Sequence, residues 1–213
     1  ASKAAAHLEL ARLYSRVTGD ALAKGDPLAV AAGSPTSFHA QRALELEPGN
    51  REAFDLLIAA LESRKDEAGI LRQMEQFVVH VSDLAERAHI LYRAGVLARR
   101  LGDVRAANHF FERCLKEDPS NVRAAGELFS TYLGAAYFER AARLSDSFPM
   151  ALDSEQTPAA LSVVCYQRGL VCEKRGDTRA ALQLYADAVG HDPRHREALE
   201  RRVLRVAPGD RAV

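Results

Sequence analysis

HILYRAGVLARRLGDVRAANHFFERCLKEDP, residues 89–119, is the stretch whose reading decides the fold. It holds two amphipathic runs, each with apolar residues at helical spacing, joined at Gly102-Asp103 and closed by Pro119. Its small, aromatic and proline positions recur in order. Gly95, Gly102-Asp103, Ala107, Phe111 and Pro119 are answered by Gly169, Gly176-Asp177, Ala181, Tyr185 and Pro193, each 74 residues on.

Each position has a physical role in a helix–turn–helix unit. A glycine on the first helix (Gly95, Gly169) lets the second helix approach closely. Gly102 and Gly176 supply the left-handed stop of that helix, and Asp103 and Asp177 can cap the next one. Ala107 and Ala181 sit at the helix crossing, with Phe111 and Tyr185 four residues later on the same face. Pro119 and Pro193 end the second helix because proline has no amide hydrogen to donate.

In this order of residues the chain resembles the tetratricopeptide repeat family, whose unit is about 34 residues long. A shift of 74 is two such units plus about six residues. Leu91 and Cys165 stand at the family's tryptophan positions. The resemblance implies an all-α chain, a right-handed α-solenoid of antiparallel helix pairs forming one domain over residues 1–213. About five repeats fall at 4–48 (with an insertion), 51–83, 88–121, 122–158 and 162–195, followed by a capping helix at 196–206.

Composition bounds the function. The 213 residues are enough for a sizeable core. The 29 basic and 29 acidic residues cancel, which argues against a general nucleic-acid binder. No run of 18 apolar residues is present to span a membrane, and the first residues lack the apolar centre of a secretory signal. Three cysteines without a Cys-x-x-Cys pair indicate neither a disulfide framework nor a zinc site. A cytoplasmic setting is the plainer expectation, with the periplasm left open if a targeting segment precedes the chain. Arginine exceeds lysine 24 to 5 and alanine is abundant, which points to a GC-rich bacterial genome.

Along the chain, residues 4–17 predict a first helix turning at Gly19-Asp20, and Gly33-Ser34-Pro35 predicts a break after which Thr36 or Ser37 caps FHAQRALELEP. The intervening DPLAVAAGSPTS reads as a surface insertion of about twelve residues. Asn50 caps the next helix, Lys65-Asp66 stands at its turn, and the helix after it stops without proline before a cap at Ser82 or Asp83. Asn121 opens a degenerate unit with Gly134 at its turn. PMALDSEQTP carries the six-residue surplus, and Thr157 with Pro158 starts the fifth unit. HREALERRVLRV reads as a polar-faced cap, and residues 207–213 as a frayed end.

Enzyme signatures are missing: there is no phosphate-cradling glycine loop, no His-Glu-x-x-His and no Gly-x-Ser-x-Gly, so no catalysis and no cofactor are expected. His191 and His195 are four apart, but Pro193 interrupts the helix that would align them on a metal. Cys165 and Cys172 read as buried thiols acting as small hydrophobes. The resemblance instead implies a concave groove that binds another protein or peptide through the first helix of each unit. Its positions fall on His89, Tyr92, Val96, Arg99 and Arg100 in the third unit; on Arg123, Gly126, Ser130, Leu133 and Gly134 in the fourth; and on Val163, Tyr166, Leu170, Glu173 and Lys174 in the fifth. The second unit places Glu52, Asp55, Ala59, Glu62 and Ser63 there. That groove would be acidic at one end, and aromatic with a basic bias at the other. Groove tyrosines and bidentate arginines suit an acidic or C-terminal peptide segment. Self-association of the chain, or service as the interaction portion of a longer protein, is the alternative.

Overall fold

The computed structural model describes residues 2–23, 29–148 and 158–206, with side chains at all of these except 18–23, 29–34, 205 and 206. The insertion's residues 24–28, the connector 149–157 with its cap at Thr157, and the end at 207–213 lie outside the described residues. Eleven α-helices and no strand are found among the described residues. They are α1 (Lys3–Ala23), α2 (Ala29–Leu46), α3 (Arg51–Ser63), α4 (Glu67–Phe77), α5 (Leu84–Arg100), α6 (Val104–Glu117), α7 (Val122–Gly134), α8 (Phe138–Ser147), α9 (Pro158–Lys174), α10 (Thr178–His191) and α11 (Arg196–Val206). A single 3₁₀ turn, Val78–His80, follows α4. The chain divides into two compact units, Ala1–Ala107 and Asn108–Val213.

Helix starts follow the capping chemistry. Asn50, Asp66, Asp83, Asp103, Asn121 and Asp177 each accept a hydrogen bond from the backbone N–H three residues on, satisfying one of the donors a helix leaves open. Helix ends follow one geometry. At Lys65, Gly102, Ala136 and Gly176 the backbone is left-handed, with φ of 55°, 84°, 58° and 83°. Beyond each, the next N–H reaches back to a carbonyl five residues earlier, as from Asp103 to Ala98 and from Tyr137 to Tyr132. The second and fourth pairs therefore make the same turn without the glycine that favours it.

In the first unit, α1 packs on α2, and both pack on α3. Ala11, Ala40, Ala43 and Ala53 have no exposure, so the backbones approach closely. Phe54 of α3 stacks on Phe77 of α4 with ring centroids 4.1 Å apart. His7 of α1 meets His39 of α2, Nδ1 to Nδ1, at 2.9 Å. Burial and the neighbouring His7 push the His39 imidazole below the usual histidine range.

In the second unit, Val122, Ala124, Ala125, Leu128 and Phe129 bury the face of α7, while Val164, Val171, Tyr185 and Ala188 fill the α9–α10 pair. Gly169 performs the role assigned to it: a Cβ there would collide with the Tyr185 ring, which has no exposure of its own. The Ser162 hydroxyl donates to the Ala188 carbonyl at 2.7 Å, tying α9 to α10. Cys165 is buried, and its thiol is pushed up by that burial.

Four expectations are corrected. Helix α1 runs through Gly19-Asp20 to Ala23, because packing along α2 outweighs the cost of about 1 kcal/mol for a helical glycine. Helix α2 runs through Pro35, which removes one helical hydrogen bond without ending a segment held against both α1 and α3. Thr36 is accordingly no cap; it is buried inside α2, and its hydroxyl has no hydrogen-bond partner. Gly134 is the last helical residue of α7, and the left-handed turn falls two residues later at Ala136. The last helix is seated by Ala198, with no exposure, while Leu199, Val203 and Leu204 face outward, so its outer face is not purely polar.

Candidate interaction faces

In the first unit, Tyr92, Val96 and Arg100 lie four residues apart on one face of α5 and border a cavity of about 290 Å³. Ile70 and Met74 of α4 and Leu97 of α5 give it an apolar floor, and Glu62 of α3 closes its edge. The capping at Asp66 and Asp83 fixes where α4 and α5 begin, and with it the register that brings these side chains together. His89 and Arg99 are exposed on the same helix.

The rim of that cavity is charged and internally paired. Arg100 Nη2 lies 2.6 Å from Glu67 Oε1, and Arg93 Nη2 lies 3.6 Å from Glu62 Oε1. The acidic end read from the second repeat is matched by arginines in the same way. Glu52 binds Arg12, whose hydrogen bonds hold the carboxyl below its usual range, and Asp55 takes Arg51 at 3.0 Å. Exposed pairs of this kind contribute roughly 0–1 kcal/mol each, so they neutralise the face without locking it.

In the second unit, Arg123 and Val163 are exposed and Leu170 is half-buried. Ser130 Oγ accepts from Gln167 Nε2 at 2.7 Å, a bond that links α7 to α9. Tyr166 is half-buried, its ring 4.9 Å from His195 and 5.8 Å from Tyr185, so it packs toward the base of α11. Lys174 Nζ stands 5.4 Å from the centre of the Phe138 ring. Glu173 is a tie: it accepts from Tyr185 Oη at 2.7 Å and from Arg201 Nη1 at 2.8 Å, joining α9, α10 and α11. His195 serves as the cap of α11, its Nδ1 accepting from Ala198 N–H at 3.3 Å.

Sequence reasoning missed two features. Ile70 and Met74 were readable as apolar, but their convergence with α5 depends on a neighbouring repeat. A larger hollow of about 530 Å³ lies between α2 and α4, bordered by Leu44, Pro48, Gln73, Phe77, Val79 and His80. The signal for it is spacing: the left-handed residues stand 37, 34 and 40 residues apart, and the first surplus of three matches the 3₁₀ turn Val78–His80.

A model of the tetratricopeptide repeat matches residues 88–121, the unit from which the reading began. Those residues are a tetratricopeptide repeat. The chain's fold is that of solved tetratricopeptide structures. YrrB, described as a TPR protein with an unusual peptide-binding site, is 14% identical with a TM-score of 0.51 over 88% of this chain and 89% of its own. MamA is 16% identical with a TM-score of 0.53 over 89% and 95%. The C-terminal part of a TPR repeat-containing protein from Cytophaga hutchinsonii is 11% identical with a TM-score of 0.53 over 93% and 69%. No curated protein matches the chain. Tetratricopeptide repeats serve in general as protein-interaction scaffolds. Among the described residues no helix is long and apolar enough to cross a membrane.

Proposed function

We propose that this chain is a non-catalytic interaction module that docks a partner polypeptide on the faces of its first helices. In the first unit the contact residues are Tyr92, Val96 and Arg100, with His89 and Arg99 beside them; in the second they are Arg123, Ser130, Val163, Tyr166, Leu170 and Lys174. The reading rests chiefly on one observation: the cavity of about 290 Å³ that opens beside Tyr92, Val96 and Arg100 has an apolar floor and a polar rim, the form of a site for one side chain of a peptide. YrrB, which shares the fold, is described as having a peptide-binding site, and this supports a peptide ligand here.

The partner segment would place an apolar side chain against Ile70, Met74 and Leu97 and a carboxylate near Arg100. Such a carboxylate competes with Glu67 for Arg100, and an exposed ion pair yields at a cost of roughly 1 kcal/mol or less. An acidic or C-terminal segment with one large apolar residue is therefore the favoured ligand. Peptides selected from a displayed library against the full chain should carry that residue. Their affinity, read by fluorescence polarisation, should fall at least about tenfold, or 1.4 kcal/mol, on Val96→Glu. Selected peptides whose binding is unmoved by Val96→Glu and Tyr92→Ala would refute this site.

Self-association is a second reading, favoured by the exposed stripe Leu10, Leu13, Tyr14 and Val17 on α1. A chain that light scattering finds monomeric at high concentration removes it.

A further inference from the structure

We propose that the outer face of α1 is a self-association seam, on which the same helix of a second copy of this chain lies antiparallel. The inference rests on the self-association reading above and gives it a contact, an orientation and a charge code. Ala6, Leu10, Leu13 and Val17 are spaced four, three and four residues apart, so they form one stripe along the helix. All four are exposed, Leu13 at 56% and Val17 at 57%. Core contact is made by the other side of α1, where Ala4 and Ala11 are buried. An apolar stripe of this spacing, turned away from the core, suits a second helix.

The flanking charges select α1 itself as that helix. In heptad terms Leu10 and Val17 take position a, Ala6 and Leu13 take position d, and Glu9 and Arg16 both take position g. Across an antiparallel pair the g positions face each other, so Glu9 of each copy meets Arg16 of the other, twice by two-fold symmetry. In the same register Leu10 packs on Leu13 of the other copy and Ala6 on Val17, again twice. A parallel pair sets Glu9 against Tyr14, with no charge to meet it.

Glu9 can be recruited without stranding a charge. It accepts from Arg12, but Arg12 also donates through Nε and Nη2 to both carboxylate oxygens of Glu52 on α3. Arg16 is exposed. The opposite flank is engaged with α2: His7 meets His39 through Nδ1, and Tyr14 stacks on the same ring at 5.7 Å. Two helices touching over roughly 17 Å bury less than the roughly 1,200 Å² at which stable interfaces begin, so the dimer is weak and forms at high protein concentration.

The test is sedimentation velocity of the full chain at low salt, from about 10 to 500 µM, where a monomer–dimer equilibrium is expected. Leu13→Glu sets a carboxylate against Leu10 of the other copy and should weaken dimerisation at least about tenfold. Its Tm should match wild type, because Leu13 is exposed in the single chain. Glu9→Arg and Arg16→Glu should each weaken the dimer about fivefold, since like charges then face each other twice. Mixing those two variants should restore association as a heterodimer, and the doubly exchanged chain should dimerise as wild type does. A chain monomeric throughout removes the self-association reading and the seam together, and leaves the stripe to a different polypeptide. A dimer unmoved by Leu13→Glu, or charge variants whose mixture associates no better than either alone, overturns the seam and leaves that reading standing.

Discussion

Exchanging the glycine and alanine at the end of α7 should stabilise the chain, although each change runs against the sequence pattern. Ala136 is left-handed, at φ 58°, where a side chain costs about 1–2 kcal/mol. Glycine removes that cost but adds about 0.4–1 kcal/mol of unfolded-chain freedom, leaving a net gain of about 0.5–1 kcal/mol for Ala136→Gly. Gly134 is the last helical residue, and a Cβ there would meet nothing within 4 Å. Gly134→Ala therefore gains helix propensity, up to about 1 kcal/mol in a helix interior and about half that at a frayed end. The double variant should gain about 1–1.5 kcal/mol, or roughly 2–6 °C in Tm for a chain of this length. Urea unfolding followed by far-ultraviolet circular dichroism separates the three variants, with the gain read in the midpoint at constant slope. Lys65→Gly, at φ 55°, should behave as Ala136→Gly does. If Gly134 were the left-handed residue, Gly134→Ala would lose about 1–2 kcal/mol. A lower midpoint for Gly134→Ala, or for Ala136→Gly, would refute the placement of the turn.

The same substitution at another glycine should have the opposite sign. Gly169→Ala drives a methyl into the Tyr185 ring, whose hydroxyl is fixed on Glu173; overpacking of about 1–3 kcal/mol exceeds the propensity gain of about 1 kcal/mol, and the urea midpoint should fall. Alkaline pH should act through Tyr132 and Tyr185, whose hydroxyls burial and then their carboxylate partners Glu112 and Glu173 hold protonated above the usual range. Because the folded pKa is raised, their stabilisation is complete below about pH 10 and declines above it, where the unfolded tyrosine releases its proton and the folded one keeps it. Tm measured from pH 8 to 11 should fall more gently in Tyr132→Phe/Tyr185→Phe, and an unaltered slope would show that other groups govern alkaline unfolding.

What the sequence revealed was local chemistry. An asparagine or aspartate before an apolar-periodic run carries its own hydrogen-bond acceptor, so Asn50, Asp103, Asn121 and Asp177 could be read as caps without knowledge of the fold, and Asp83 as one of two candidates with Ser82. Leu91 and Cys165, at positions where larger rings are usual in the resembled family, are buried as expected. What it hid depends on partners far along the chain. Pro35 and Gly19 are unfavourable in a helix taken alone, and only packing between α1, α2 and α3 reverses that. Glu173 looked like a groove acid because Tyr185 and Arg201, twelve and 28 residues away, are invisible from its own helix.

This division explains why the contact faces were only half legible. The positions on each first helix follow from repeat register, so Tyr92, Val96 and Arg100 fall together beside one hollow. Their charge does not follow from register, because it depends on which neighbour each arginine meets. Arg100 is met by Glu67, from the helix before it, and Glu52 is met by Arg12, forty residues earlier. A face that counts as basic along one helix is thus close to neutral once its neighbours are in place. Recognition there has to come from the shape and apolar floor of the hollow first, with charge acting by exchange of existing pairs. Exchange of one exposed pair for another changes both affinity and its salt dependence little. Ligand affinity that rises steeply as salt is lowered would mean that the arginines act as free charges, against the pairing observed.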